Sequence, residues 1–290
     1  MTRPILQRHQ KAPSAFAFMA RALLPSPGLG ENNAFPHIIQ RWEGLRIGTD
    51  HLAAFRRASG LIEEDSVSVL YPHVLGFRLQ MALLTHRAYP LPIWGALQIR
   101  NRLIRHRHLH VGERLDLETR IGAQRVVEKG IEIDLASRLL RESECCWESV
   151  ITYFYKGRFG SPGDGRAAET PHFSPAPVIG RFRMPQGGGW HLGNLTGDYN
   201  GIHWARWYAR RLGYHSAFLH PQRVAGMCMS RLRGPESEAQ SLELWIKGPV
   251  FYGASVNLSA VTNADGVLFG LSLEGDQRHA LIVRWQAVAA

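Results

Sequence analysis

One pattern occurs twice in this chain, as YPHVLGF at residues 71–77 and as FLHPQRVAGM at residues 218–227. Each copy places a histidine beside a proline at the start of an apolar run, and proline is favoured in the first turn of a helix. In the first copy the run continues through residues 79–84 and is apolar nearly all round, which is typical of a buried helix. We therefore predict one buried helix in each half of the chain.

The segments that follow each predicted helix alternate with a period of two, which indicates strands. Residues 97–102 and 111–117 in the first half parallel residues 242–245 and 252–258 in the second half. Further strands are predicted at residues 130–135, 146–155, 267–273 and 280–285. A buried helix with several antiparallel strands in each half predicts an α+β fold made of two similar units.

The stretch between the halves is rich in Gly, Pro and Ser, and it includes GSPGDG at residues 160–165. This composition is typical of a connector. A chain of 290 residues is also long enough for two domains. We predict a flexible N-terminal arm at residues 1–30, a first domain at 31–160, a linker at 161–189 and a second domain at 190–290.

The composition predicts a soluble globular protein, because 45% of the residues are hydrophobic and 20% are charged. The apolar runs are too short to cross a bilayer, so we expect no membrane partner. The formal net charge of +10 favours an anionic partner or substrate. The three cysteines include the adjacent Cys145 and Cys146, which implies no disulfide framework and favours a reducing compartment, the cytoplasm.

The segment LTGDYNGIH at residues 195–203 carries the clearest chemical signal. Its Asp, Asn and Gly residues predict a turn, and a short helical stretch follows at 204–212. Such a turn can bring Asp198 and His203 to face one pocket, where a carboxylate beside an imidazole can orient water and move a proton near neutral pH. The same residue types also serve as capping and loop groups, so composition and spacing leave both interpretations open.

This segment, together with ARRLGY at residues 209–214 and FLH at 218–220, resembles the hydratase motif of the MaoC-like dehydratases, the type-2 or (R)-specific enoyl-CoA hydratases. In that family Asp-x-Asn-Pro-x-His is followed by an apolar-x-His-Gly-Met segment that opens the central helix of a hotdog fold. The resemblance implies a double hotdog, two antiparallel sheets each wrapped around a central helix, with a degenerate and non-catalytic first half.

The resemblance also implies a lyase that hydrates 2-enoyl thioesters or dehydrates 3-hydroxyacyl thioesters. Asp198 and His203 would activate the water, and Asn200 would brace the turn or the water. No cofactor is expected, because coenzyme A or phosphopantetheine is part of the substrate. The amides at the start of the central helix would bind the thioester carbonyl, where their partial positive charge stabilises the developing enolate.

Two positions depart from the family pattern. Gly201 replaces a proline, which loosens the turn without removing a reactive group. Pro221 replaces the glycine whose amide would donate to the carbonyl oxygen, and proline has no N–H. Either Gln222 or a neighbouring amide takes over, or the site has another geometry, or the activity is weak. His220 and Gly226 are the other residues assigned to the oxyanion and substrate-binding part of the site.

The first half has His73 in the place that His220 takes in the second half, but nothing like GDYNGIH precedes it. We therefore expect the first half to widen the acyl pocket and to cover the second half. A homodimer is one candidate for the oligomeric state of the protein.

Three arginines after the motif, Arg206, Arg210 and Arg211, are candidates for binding the phosphates of coenzyme A or the acidic surface of an acyl carrier protein. A solvated helix face explains them equally well. A second basic cluster, at residues 100–107, lacks interleaved aromatic residues, so no nucleic acid is expected. The alternating histidines at 106, 108 and 110 lack a nearby cluster of Cys or carboxylates, so no metal is expected.

Three other functions are weighed against the hydratase. Pro221 favours a non-catalytic hotdog module that binds acyl thioesters or a carrier protein. A hotdog thioesterase would use a similar pocket but would release a free thiol. A basic nucleic-acid binder rests on the charge alone and predicts strongly salt-dependent binding.

Overall fold

The structure is a computed structural model, and it describes residues 4–30, 34–62, 66–163, 170–173 and 176–288. The strands in these ranges are β1 (Ile5–His9), β2 (Ile38–Arg46), β3 (Leu97–Arg105), β4 (Arg114–Val127), β5 (Gly130–Arg141), β6 (Glu144–Lys156), β7 (Val178–Arg183), β8 (Gln240–Ile246), β9 (Ser255–Asn263), β10 (Gly266–Leu273) and β11 (His279–Ala287). The α-helices are α1 (Ala15–Ala22), α2 (Thr49–Ser59), α3 (Tyr71–Leu84), α4 (Gly189–Thr196), α5 (Arg206–Arg211) and α6 (Pro221–Met229). None of these helices is long and apolar enough to span a bilayer.

The two halves build their sheets in the same order. The first half is arranged β2-β4-β5-β6-β3 and the second half β7-β9-β10-β11-β8. Strands β3 and β8 pair antiparallel, with Arg100 opposite Trp245 and Arg105 opposite Gln240. The predicted plan of two similar units is therefore confirmed, but hydrogen bonds join the two predicted sheets into one.

The central helices are α3 and α6, as predicted. Helix α3 packs against β2 and β4 on one side and against α1 and α4 on the other. It is buried along nearly its whole length because neighbours cover it on both sides, which explains its lack of a polar face. Pro72 and Pro221 lie in the first turns of α3 and α6.

The predicted equivalence of His73 and His220 needs correction. His73 follows its proline and lies inside α3, whereas His220 precedes its proline and is the residue before α6. The two side chains therefore leave their helices at different positions.

Helix α6 packs closely against α2, which the sequence analysis did not predict. A Cβ atom on Gly226 would lie 2.7 Å from the Cβ of Ser59 on α2. The glycine is therefore required by this close approach of two helices. Gly226 was expected to contribute to substrate binding, but it lies inside α6 on the side that faces α2.

The N-terminal residues differ from the predicted flexible arm. Strand β1 pairs in parallel with β2, and α1 buries Ala15 and Phe18. An open sheet edge and a buried aromatic side chain both stabilise an ordered segment here. These interactions involve residues distant in sequence, so composition alone did not reveal them.

The positions of β7 and β3 correct two other predictions, one about the linker and one about the alternating histidines. Strand β7 lies within the predicted linker and pairs with β9, so this part of the linker is the first strand of the second unit. Residues 164–169 and 174–175 of that linker lie outside the described residues. Strand β3 ends at Arg105, so His106, His108 and His110 do not alternate along a strand.

Candidate active site

The GDYNGIH segment forms the predicted turn. Helix α4 leads to Gly197, whose φ of +83° is the left-handed conformation that favours glycine. The Oδ1 atom of Asp198 accepts a hydrogen bond from the Asn200 N–H at 3.0 Å, and the Oδ1 atom of Asn200 accepts from the Ile202 N–H at 3.3 Å. Asn200 thus braces the turn, while Oδ2 of Asp198 is left to face the histidines.

Gly201 is explained by its surroundings. A Cβ atom at this position would lie 2.6 Å from the ring of Tyr208 on α5. The aromatic side chain occupies the space that a proline ring would need. The glycine at this position therefore accompanies close packing of α5 against the turn.

The carboxylate of Asp198 lies beside the Nε2 atoms of two histidines. Its Oδ2 atom is 3.7 Å from His203 Nε2 and 3.5 Å from His220 Nε2. The imidazole rings of His203 and His220 are stacked, with centroids 3.7 Å apart. The predicted pair of Asp198 and His203 is therefore brought together, and His220 forms a third member of the group.

The hydrogen bonding of His203 indicates where its protons lie. Its Nδ1 atom is 3.0 Å from the carbonyl oxygen of Phe218, so Nδ1 carries the proton in the neutral ring. The unprotonated Nε2 then faces Oδ2 of Asp198. Two acceptors at this separation repel each other unless a proton resides on the carboxyl or on the imidazole, so this pair is built to hold one proton.

Burial brings the proton affinities of the pair closer together. Loss of solvation raises the pKa of Asp198 above its ordinary value, although His203 and the Asn200 N–H oppose this shift. Loss of solvation also lowers the pKa of His203, and Asp198 opposes that shift. A carboxyl and an imidazole with converging pKa values can exchange a proton readily.

His220 has the most strongly desolvated imidazole of the group. Its residue exposure is 2%, and its Nε2 atom lies 3.5 Å from Oδ2 of Asp198. Burial, with the neighbouring His203, lowers the pKa of His220 well below its ordinary value. His220 therefore stays neutral and stacks on the ring that faces Asp198.

These residues line a cavity of about 440 Å³ between the two halves. Asp198, Asn200, His203, His220 and Gln222 all contribute to its wall, so the structure brings these five predicted residues together. Most of the remaining wall is apolar, and α3 supplies Val74, Phe77, Met81 and Leu84. This lining suits a substrate with a polar head and an apolar tail.

The first half also contributes polar groups that the sequence analysis missed. Gln222 Nε2 lies 2.9 Å from His73 Nε2 and donates to Gln98 Oε1 at 2.9 Å. The hydroxyl of Tyr153 lines the cavity and donates to Gln80 Oε1 at 3.1 Å. Gln80, a buried polar residue of α3, was a signal of this network in the sequence.

The Gln222 side chain is engaged in this network, so its backbone is the better candidate for binding a carbonyl oxygen. Pro221 has no N–H, and the next amide of α6 belongs to Gln222. Amides in the first turn of a helix lack acceptors within the helix. The structure thus offers the Gln222 N–H in place of the missing donor.

The predicted arginines lie outside the cavity. Arg206, Arg210 and Arg211 are exposed on α5. In the second basic cluster, Arg100 and Arg102 pair with Glu243.

The donor atoms of Asp198, His203 and His220 lie within 4.8 Å of one another, close enough to consider a metal ion. The two rings are inclined by only 24°, however, and are stacked face to face. The lone pairs of Nε2 lie in the ring planes, so nearly parallel stacked rings cannot both direct them at one ion. This arrangement does not fit a metal centre and suits proton exchange instead.

No protein-family model matches the chain. Over 255 residues the chain is 22% identical to 3-hydroxyacyl-thioester dehydratase X of Mycobacterium tuberculosis, and the match covers 88% of this chain and 91% of that protein.

Comparison with solved structures identifies the fold. The crystal structure of HtdX of Mycobacterium tuberculosis matches with a TM-score of 0.72 at 19% identity, over 86% of this chain and 100% of that chain. A MaoC-like dehydratase of Phytophthora capsici matches with a TM-score of 0.67 at 18% identity, over 88% and 95%. A double-hotdog protein of Mycobacterium tuberculosis matches with a TM-score of 0.58 at 14% identity, over 91% and 99%. The chain therefore has the double hotdog fold, and its predicted resemblance to the MaoC-like dehydratases is confirmed.

Proposed function

We propose that this protein is a hydro-lyase that interconverts 2-enoyl and 3-hydroxyacyl thioesters. The observation that carries the proposal is the approach of Asp198 Oδ2 to His203 Nε2 at 3.7 Å in the wall of a largely apolar cavity. The similarity to 3-hydroxyacyl-thioester dehydratase X supports the same chemistry.

In the hydration direction, a water molecule held by Asp198 and His203 adds to the β-carbon of the double bond. One member of the pair accepts a proton from the water, and the other delivers a proton to the α-carbon. Dehydration runs through the same steps in reverse. The converging pKa values allow the pair to start and finish each cycle with one shared proton.

The developing negative charge on the thioester oxygen needs a donor in the protein. We assign this role to the Gln222 N–H at the start of α6, where the helix dipole adds favourable potential. His220 packs against His203 and holds its ring toward Asp198. Arg206, Arg210 and Arg211 are proposed to bind the phosphates of coenzyme A or an acidic carrier protein.

The test is the loss of conjugated thioester absorbance when the protein is mixed with a short 2-enoyl-CoA. Asp198→Asn keeps the shape of the side chain but removes its charge and is expected to lower kcat by about a hundredfold to ten-thousandfold. Asp265→Asn, at an exposed turn, is the matched control and should behave as the wild type.

Detection of free thiol in the same reaction separates the alternatives. Release of coenzyme A would identify a thioesterase instead. Tight binding of the enoyl-CoA without any turnover would identify the non-catalytic binding module that Pro221 brings into consideration. Undiminished hydration by Asp198→Asn would contradict the assigned pair.

A further inference from the structure

Helix α1 is apolar on two faces. Ala15 and Phe18 are buried on the side that faces the body of the protein. Phe16, Met19 and Leu23 follow helical spacing on another side and are 82%, 39% and 78% exposed. A surface helix of a globular protein normally presents polar residues there. This apolar face therefore has no partner among the described residues.

The same face lies at the opening of the cavity. Met19, Trp94 and Trp207 line the cavity, yet 39%, 56% and 70% of these residues are exposed. Residues that both line a cavity and meet solvent must lie at its mouth. The Trp94 indole donates to the Ala22 carbonyl at 2.8 Å, which fixes α1 at this place.

We use the name apolar rim for the exposed large side chains at this mouth and on the adjoining face of α1, including Leu23 directly after it. They come from α1, from the segment before β3 and from the segment around the start of α5. The members of the apolar rim are Phe16, Met19, Leu23, Trp94, Trp204 and Trp207. Exposed apolar patches of this kind mark interaction sites rather than ordinary protein surface.

Arginine side chains lie along one side of the apolar rim. Helix α5 carries Trp207 and exposes Arg206, Arg210 and Arg211 beside it. Guanidinium groups bind phosphate oxygens, and tryptophan rings favour the head-group level of a bilayer. The formal net charge of +10 adds a long-range attraction toward an anionic surface.

We propose that the apolar rim docks on the surface of an anionic phospholipid bilayer. Helix α1 then lies in the interface with Phe16 and Leu23 among the upper acyl chains. In the docked protein the arginines of α5 contact lipid phosphates, and in the undocked protein the same side chains bind the phosphates of coenzyme A. The sequence analysis expected no membrane partner because the apolar runs are too short to cross a bilayer. Docking at a surface requires no spanning helix, so the proposal departs from that expectation without contradicting the described helices.

A bilayer fits the rim better than a folded protein partner does, because the rim continues directly into the apolar lining of the cavity. An acyl chain dissolved in the bilayer can follow this surface to Asp198 and His203 without crossing water. The delivery of long-chain acyl thioesters by this route rests on the proposed function, whereas docking itself does not.

The test is co-sedimentation of the full chain with vesicles in the absence of any thioester. Vesicles of phosphatidylcholine and phosphatidylglycerol in a two-to-one ratio are expected to bind the protein, and pure phosphatidylcholine vesicles to bind it more weakly. Raising the salt concentration should weaken binding to the anionic vesicles. Tryptophan emission should shift to shorter wavelength on binding, since three rim residues are tryptophans.

Paired variants separate the apolar from the charged contribution. The double variant Phe16→Ser/Leu23→Ser is expected to lower the partition coefficient by about tenfold or more, because two large apolar side chains no longer enter the interface. Its matched control, Ile179→Ser/Val261→Ser, removes two exposed apolar side chains from β7 and β9 and should bind normally.

Arg210→Gln/Arg211→Gln should weaken binding to the anionic vesicles while leaving the weak binding to neutral vesicles unchanged. Its matched control, Arg233→Gln/Arg278→Gln, removes two other exposed charges and should have a smaller effect.

Failure to sediment with either kind of vesicle would overturn the proposal. So would a dimer that Phe16→Ser/Leu23→Ser dissociates, which would identify a second copy as the occupant, or exclusive binding of an acidic carrier protein. Hydration of a short, water-soluble enoyl-CoA is measured separately. Absence of hydration by the wild type would therefore leave vesicle binding intact, and loss of docking in Phe16→Ser/Leu23→Ser would leave short-chain hydration intact.

Discussion

The first and second halves share one strand order but treat their buried histidines differently. In the second half, a turn after α4 places Asp198 within 3.5 Å of His220 and 3.7 Å of His203. In the first half, no carboxylate of the described residues pairs with His73, and its Nε2 atom lies 2.9 Å from the Gln222 side chain. The same fold can therefore hold a histidine beside a carboxylate or as part of a hydrogen-bonded wall.

The difference arises in the segment between the first strand and the central helix of each half. Within the part of the chain that the structure describes, the first half has α2 at this place, whereas the second half has α4, the GDYNGIH turn and α5. Of these described segments, only the second brings a carboxylate to the start of its central helix. A difference in one local segment, rather than a change of fold, thus creates the pairing of a carboxylate with an imidazole.

The largest effect is expected when the same substitution, His to Gln, is made at His203 in the second half and at His73 in the first half. His203→Gln should lower kcat for enoyl-CoA hydration by about a hundredfold to ten-thousandfold, because it removes one partner of the proton exchange. His73→Gln should change kcat by less than about tenfold, because the first-half residue contributes to the cavity wall alone. Initial rates over a range of substrate concentration separate kcat from KM. Equal losses of kcat in both variants would contradict the division of roles between the halves.

A second test uses the effect of pH on stability. Burial lowers the pKa of His73 from 6.5 to about 4, because desolvation penalises the charged ring. His73 therefore gives its full contribution to the free energy of unfolding above pH 6.5, the pKa of the unfolded chain. This contribution is lost as the pH falls to and through about 4, the pKa in the folded protein. By linkage it amounts to about 3 kcal/mol of the free energy of unfolding.

The measurement is urea unfolding of the wild type and His73→Gln at several pH values across this range. The variant should lose less stability on acidification than the wild type. The matched control is His191→Gln, at an exposed position, which should follow the wild type. Identical pH dependence in all three proteins would show that His73 does not stay neutral through burial.

The smallest effect is expected from one glycine in each central helix. Gly226→Ala should lower the free energy of unfolding by about 1 to 3 kcal/mol, because the new Cβ would overlap Ser59 and force α2 away from α6. Gly76→Ala should raise it by about 1 kcal/mol, since its Cβ would meet nothing closer than 3.9 Å and alanine favours a helix. Midpoints of urea unfolding measure both changes. A loss of stability in Gly76→Ala would show that the two helices are equally crowded.

The sequence predicted much of this arrangement because the responsible signals are local. The period-two patterns located β3 to β6 and β8 to β11, and the His/Pro pairs located the starts of α3 and α6. The Asp, Asn and Gly residues of GDYNGIH predicted the turn, since their side chains satisfy nearby backbone groups. Asp198 and His203 followed from that turn and from the resemblance to a known motif.

Other features depended on contacts between residues that are distant in the chain. Edge pairing ordered β1, and close packing against α2 explains Gly226, which the sequence analysis placed at the substrate. Tertiary packing also stacked His220 on His203 and brought Gln98 and Tyr153 to the cavity wall. Local patterns record which side chains share one strand, turn or helix, whereas burial and proton affinity are decided by which elements meet.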